Sequence, residues 1–159
     1  MKSRFLERWG RRYLAQHRLF EQVPRLSSDA PLAADARFAE WTRAGPRFRA
    51  DQQPIANLWF GPADVATPCH FDNHPNLLCQ LVGRKLCYCW PNDAPIARGA
   101  PPDQNCAATD AEPRDPDAAK PLPLTTVLVL EPGDVLFIPQ AHWHFVRSLT
   151  TSISASLWF

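Results

Sequence analysis

No apolar run in this 159-residue chain approaches the roughly 18 residues that a membrane-spanning helix needs. The N-terminal stretch MKSRFLERWGRRY is basic but has no apolar core, so it does not read as a secretory signal. The five cysteines fit neither a disulfide framework nor a zinc motif: Cys69, Cys79, Cys87 and Cys89 crowd the middle, and Cys106 stands alone. Reduced, buried thiols in the cytosol are the expectation, with space filling as their role. A strong net charge is also missing. The balance is +1 at pH 7, so nothing draws the whole chain to nucleic acid. Charge is nonetheless uneven: residues 1–50 carry eleven Lys/Arg against five Asp/Glu, and residues 51–159 carry six against eleven. The basic part lacks the interleaved aromatics of a nucleic-acid reader and reads as a solvated face. Repeats are absent too. These absences leave one domain over 1–159, expected in the cytoplasm, with neither membrane nor nucleic acid as a partner; in a eukaryote the nucleus is the alternative address.

The apolar fraction, 45%, is enough for a packed core. Residues 1–54 read as helical N-terminal support. Residues 3–9 place Phe5, Leu6 and Trp9 on one side of a short helix. The stretch RRYLAQH fits helix or strand. LFEQVPRL reads as a helical turn stopped near Pro24, and 33–44 as a helix ended by Gly45-Pro46. After Pro54 the pattern changes to short β-branched and aromatic runs separated by turn residues. IANLWF is a strand closed by Gly61-Pro62, and LLCQLV and KLCYCW flank Gly83-Arg84 as a hairpin. Residues 91–123 hold eight prolines and a net charge of −3, which marks a long loop. TTVLVLE, VLFIP, HWHFVRSL and SISASLWF complete a β-core over 55–159. The fold class is mainly β, a sandwich or barrel.

His70, Asp72 and His74 stand two apart in this core. Side chains at i, i+2 and i+4 of a strand share a face. An extended strand separates i from i+4 by roughly 13 Å, while ligands of one metal sit roughly 3 Å apart. At most two of the three can therefore share an ion, and the third ligand must come from elsewhere. The remaining histidines are His17, His142 and His144, the last two again on one face. Two histidines plus one carboxylate, with positions left open, is the facial triad of non-haem Fe(II) oxygenases. Lys85 adds to this reading. A lysine in an apolar strand is costly unless paired, and a dicarboxylate co-substrate chelating iron at one end needs a cation for the other. A stem lying on apolar surface with its head in water is the plainer alternative.

TPCHFDNHPNLLCQLVGRK together with EPGDVLFIPQAHWHFVRSL and SISASLWF resembles the JmjC-domain hydroxylases of the cupin superfamily, a pattern shared with factor inhibiting HIF. YLAQHRLFEQVPRL, LWFGP, GRK and HWHFVRSL are similar to the arginine-directed branch typified by Jumonji-domain-containing protein five. The likeness covers 10–26, 55–90 and 126–159, and is weak over 27–54 and 91–123. It implies a double-stranded β-helix (a jelly roll) that uses Fe(II), with 2-oxoglutarate and O2 as co-substrates, to hydroxylate a protein or peptide side chain. His70, Asp72 and His144 fall on the metal ligands, Lys85 on the lysine for the far carboxylate, and Thr67, Asn76 and Tyr13 on co-substrate contacts. His142 and His74 fall on positions without a ligand. Trp59 faces the pocket, and Gln16 falls near the substrate side chain. A basic substrate, arginine above all, is implied. Extra elements that flank the core in many relatives have no counterpart here, so a truncated binding module is one rival reading. Another metal-dependent cupin enzyme, to which Lys85 would not matter, is the second.

Overall fold

The computed structural model describes residues 12–26, 54–99, 105–107 and 125–159. The expected helices over 3–9 and 33–44 lie outside them. The last four residues of RRYLAQH are strand: β1 is Leu14–His17, followed by one helical turn, α1, at Leu19–Gln22. The remaining strands are β2 (Ile55–Gly61), β3 (Ala66–Phe71), β4 (Asn76–Val82), β5 (Lys85–Trp90), β6 (Thr126–Leu130), β7 (Val135–Ile138), β8 (Trp143–Ser148) and β9 (Ser152–Trp158). They form two antiparallel sheets in the orders β1-β2-β9-β4-β7 and β3-β8-β5-β6. From β2 onward the chain changes sheet at every step except β5 to β6. That alternation is the double-stranded β-helix that the resemblance implied.

The expected hairpin around Gly83 is not one. β4 and β5 lie in different sheets, so Gly83-Arg84 is a crossover. Gly83 sits at φ +70, and a Cβ there would run into the Thr151 carbonyl and approach Thr150 Oγ1 at 2.6 Å. The close approach has a purpose. Arg84 N donates to Thr150 Oγ1 at 2.9 Å and Leu149 N donates to the Arg84 carbonyl at 2.9 Å, tying this crossover to the β8–β9 one. From inside, Gln80 Nε2 donates to the Val82 and Gly83 carbonyls, and Ser154 Oγ donates to Gln80 Oε1 at 2.7 Å. Gly83→Ala adds backbone strain to a steric clash. It should lower stability by about 2 kcal/mol or more, read as a fall in Tm or denaturation midpoint.

Alternation within each strand builds three apolar layers. Between the sheets, Leu78 and Ile138 meet Cys87, Leu130 and Val146. Outside the four-stranded sheet, Phe71, Tyr88, Trp90, Trp143 and Phe145 pack with Cys69. Ala94, Ile96 and Ala107 of the Pro-rich loop cover them, and the Arg98 guanidinium lies 4.8 Å from the Phe71 ring centroid. Among the loop's described residues, Cys106 bridges to His70 on the free edge of β3, and Ala107 bridges to Arg98. Outside the other sheet, Leu77, Cys79 and Leu157 form a third cluster. Cys69, Cys79 and Cys87 are buried, as expected for filler thiols, whereas Cys89 and Cys106 are only partly so. Burial pushes the Cys87 thiol up to about 12.

Beside Leu78 and Ile138, the inner face of the five-stranded sheet is polar. Asn57, Asn76, Gln80, Ser152, Ser154 and Ser156 are all buried there. Burying polar groups is unfavourable unless partners meet them. Gln80, Ser152, Ser154 and Ser156 find theirs within the fold, whereas Asn57 Nδ2 and Asn76 Oδ1 have none among the described residues.

Candidate functional site

His70 on β3 and His144 on β8 are direct cross-strand partners, so their side chains leave the same face of the sheet side by side. Their ring centroids are 4.2 Å apart. Asp72 follows β3 by one residue, where the backbone has left the ladder. Its position is pinned by Ala141 N donating to the Asp72 carbonyl at 2.9 Å and Gln140 Nε2 donating to the Asn73 carbonyl at 2.9 Å. The turn between β7 and β8 thus carries Asp72 toward the two rings. Asn76 Nδ2 donates to Asp72 Oδ2 at 3.2 Å and orients the carboxylate.

Both imidazoles use the same device. Nδ1 of His70 lies 2.8 Å from the Pro68 carbonyl, and Nδ1 of His144 lies 3.0 Å from the His142 carbonyl. A carbonyl only accepts, so each ring carries its proton on Nδ1 and presents the Nε2 lone pair on its other side. Those lone pairs face Asp72: His70 Nε2 is 3.7 Å from Oδ1, and His144 Nε2 is 3.8 Å from Oδ2. One ligand atom from each of the three residues lies within 4.8 Å of the others. Two lone pairs and a carboxylate converging without a donor between them require a cation. Burial, with His70 nearby, pushes His144 down to about 3, which keeps its ring neutral and its Nε2 lone pair free. Burial raises Asp72, which the charges of His70 and the Asn76 bond partly oppose. The donor set therefore fits a divalent metal that accepts nitrogen and oxygen, with outer carbonyls fixing the rings.

The three residues open onto a narrow cleft between the sheets. Tyr13, Trp59, Thr67, Asn76 and Lys85, the positions that the resemblance assigned to the pocket, are among the residues that line it. Lys85 is 1% exposed and its ammonium lies 5.8 Å from the Tyr13 ring centroid. Burial pulls its pKa down to about 8. Among the described residues no carboxylate pairs with it. Tyr13 Oη is 3.4 Å from Thr67 Oγ1, and Trp59 Nε1 donates to Ser156 Oγ at 2.9 Å. Gln16 does not reach the cleft: it is exposed on β1, in a left-handed backbone conformation with φ 50. His74 is exposed and stacks on Trp158, and His142 is half-buried outside the cluster. Leu78, Ile138, Val146 and Ser156 also line the cleft and were not singled out from sequence. The alternation of serines in SISAS was the available signal for the last, since it puts Ser152, Ser154 and Ser156 on one face.

A double-stranded β-helix with two histidines and an aspartate at its mouth defines a metal-binding jelly roll, and the chain belongs to the cupin-like domain family, which matches residues 3–159. Several of the curated relatives are named as JmjC proteins or lysine-specific demethylases. The chain is similar to lysine-specific demethylase 8 of Danio rerio, 37% identical over 153 residues that make up 92% of this chain and 36% of that one. It is also similar to Jumonji C domain-containing protein 5 of Drosophila melanogaster, 33% identical over 164 residues, 92% of this chain and 36% of that one. The chain thus spans about a third of the length of the curated relatives it matches. Among solved structures it is similar to YcfD, a ribosomal oxygenase from Escherichia coli crystallised with cobalt and 2-oxoglutarate. There the TM-score is 0.52 at 19% identity, over 81% of this chain and 28% of that one, a likeness of fold.

Proposed function

We propose that this chain is an Fe(II)- and 2-oxoglutarate-dependent oxygenase that hydroxylates a protein side chain, with arginine as the first candidate. One observation carries the reading. The convergent His70, Asp72 and His144 share a single cleft with the buried ammonium of Lys85. A metal site alone would need no cation deep in the interior. A metal that holds one end of a dicarboxylate does need one.

Each residue then has a task. His70, Asp72 and His144 hold the metal and leave part of its coordination open. Lys85 meets the far carboxylate, assisted by the hydroxyls of Tyr13 and Thr67. Asn76 keeps Asp72 turned to the ions, and Trp59 walls the pocket. Fe(II) and 2-oxoglutarate together supply the O2-driven oxidation of a C–H bond, with loss of CO2 and formation of succinate. The protein's own contribution is to place that bond and keep bulk water out. The resemblance to the arginine-directed branch supports arginine. The names of the curated relatives favour methylated lysine, where the same hydroxylation on an N-methyl carbon ends in demethylation.

Anaerobic addition of Fe(II) and 2-oxoglutarate should give a visible charge-transfer band. Air should then convert 2-oxoglutarate to succinate, and arginine or methyl-lysine peptides should show an oxygen gain or a methyl loss by mass. A band without turnover identifies a binding module. No band and no succinate would sink the enzyme reading.

A further inference from the structure

Gly61, the last residue of β2, lies against the ring of Tyr13. A Cβ on Gly61 would stand 2.8 Å from Tyr13 Cδ2 and 3.0 Å from Val65 Cγ2. Carbon atoms attract only near about 3.5–4.0 Å, so this is overlap. Gly61 is not among the residues at positive φ, so space and not backbone conformation calls for glycine here. The ring it admits is well placed. Its centroid is 5.8 Å from Lys85 Nζ and 6.1 Å from that of Trp59, and its hydroxyl is 3.4 Å from Thr67 Oγ1. Lys85 beneath it is 1% exposed. Tyr13 directly precedes Leu14, which pairs with Phe60 at the edge of the sheet, so the ladder brings Tyr13 beside Gly61 before the register slips between Leu14 and His17. The backbone brings the ring to this place, and the space over Gly61 lets it lie there.

We propose that Gly61 is a positioning residue: its missing side chain admits the Tyr13 ring over Lys85 and so sets the width of the pocket that takes the far carboxylate of a short dicarboxylate. The choice of ligand rests on the co-substrate reading above; the cover over Lys85 does not. A methyl group on Gly61 pushes the ring outward. Lys85 is then uncovered, and the hydroxyl moves away from Thr67.

Four proteins test this: wild type, Gly61→Ala, Tyr13→Ala and the double variant. Two measurements are made on each. One is the rate of Lys85 acetylation by acetic anhydride, read by peptide mass spectrometry without ligand. The other is the Kd for 2-oxoglutarate with Fe(II) under anaerobic conditions. Gly61→Ala should speed labelling of Lys85 and weaken 2-oxoglutarate by about tenfold, the effect of a methyl forced into packed space. Fe(II) affinity should not change. Adding Gly61→Ala to Tyr13→Ala should alter neither readout, because the ring it displaces is gone. Wild-type labelling in Gly61→Ala, or equal effects in both backgrounds, overturns the proposal. If Gly61→Ala alone fails to fold and the double variant folds, the clash is with the ring, as proposed; if both fail, the proposal is wrong. Failure of the wild type to bind 2-oxoglutarate overturns the functional reading instead, and the labelling comparison still decides whether Gly61 positions the cover.

Discussion

His144→Ala loses divalent-metal affinity by more than 100-fold, while His142→Ala and His74→Ala retain it. Losing an outer-shell partner typically costs about 10–100-fold, and removing the ligand itself costs more. The three histidines differ in geometry, not in kind. His144 Nε2 points at Asp72 from 3.8 Å, and its Nδ1 is held by the His142 carbonyl. His142 contributes that carbonyl from its backbone, which any residue supplies, and its own ring contacts the Gln140 carbonyl at 3.4 Å. His74 stacks on Trp158 with the ring planes 14° apart. Isothermal titration of metal-free protein with Fe(II), or with Mn(II) in air, reads the result directly. Metal lost from His142→Ala and kept by His144→Ala would reverse the assignment. His144 lies buried, so unfolding midpoints must accompany the titrations. A folded His144→Ala that binds no metal separates a lost ligand from a lost fold.

Much of this cluster was legible because its chemistry is local in sequence. His70, Asp72 and His74 are two apart, and extended-chain geometry already limited them to two ligands of one ion, with the resemblance setting His74 aside. Choosing between His142 and His144 was different. Both lie on one face of the same run, and only family resemblance preferred the second. The structure supplies the physical reason, since His144 is inside the ladder opposite His70 and His142 precedes the strand. Tyr13, Trp59, Thr67, Asn76 and Lys85 were likewise placed at the cleft by resemblance more than by pattern. Gln16 shows the limit of that transfer: a slipped edge strand turns it to solvent.

The strands themselves were legible from alternation and turn residues, but their partners were not. LLCQLV and KLCYCW joined at a glycine look like a hairpin. A glycine at positive φ serves a hairpin turn and a crossover equally well, and local sequence does not say which sheet receives the next strand. The decision lies in distant residues, Gln80 with Ser154 and Arg84 with Thr150, which are 74 and 66 positions apart. Gly61 was legible only as a strand end, for the same reason. Its place against the Tyr13 ring depends on what stands beside it in space.

Lys85→Met makes the free protein more stable and the co-substrate complex far weaker. The two effects have opposite signs because one buried charge serves only the ligand. In the free protein the ammonium is 1% exposed and faces an aromatic ring, with no carboxylate partner among the described residues. Burial lowers its pKa from the ordinary 10.5 to about 8. The charged form is therefore disfavoured by folding. Stability is fully recovered above the unfolded value of 10.5 and is lost as pH falls through about 8. Replacing the ammonium with a thioether of similar length should stabilise the free protein at neutral pH by about 1–3 kcal/mol. A carboxylate left without its cation in the same place loses about 3–5 kcal/mol, so 2-oxoglutarate affinity should fall by about 100-fold or more. In the wild type the same group gives a pH signature. Binding needs the ammonium, so Kd should be flat below about pH 8 and rise above it, with a proton taken up on binding in that range. Lys85→Met should show no such step. Unchanged 2-oxoglutarate affinity in Lys85→Met would place the charge outside the site and favour a metal cupin of another kind. A loss of stability in the same variant would mean that the ammonium already has a partner in the free fold.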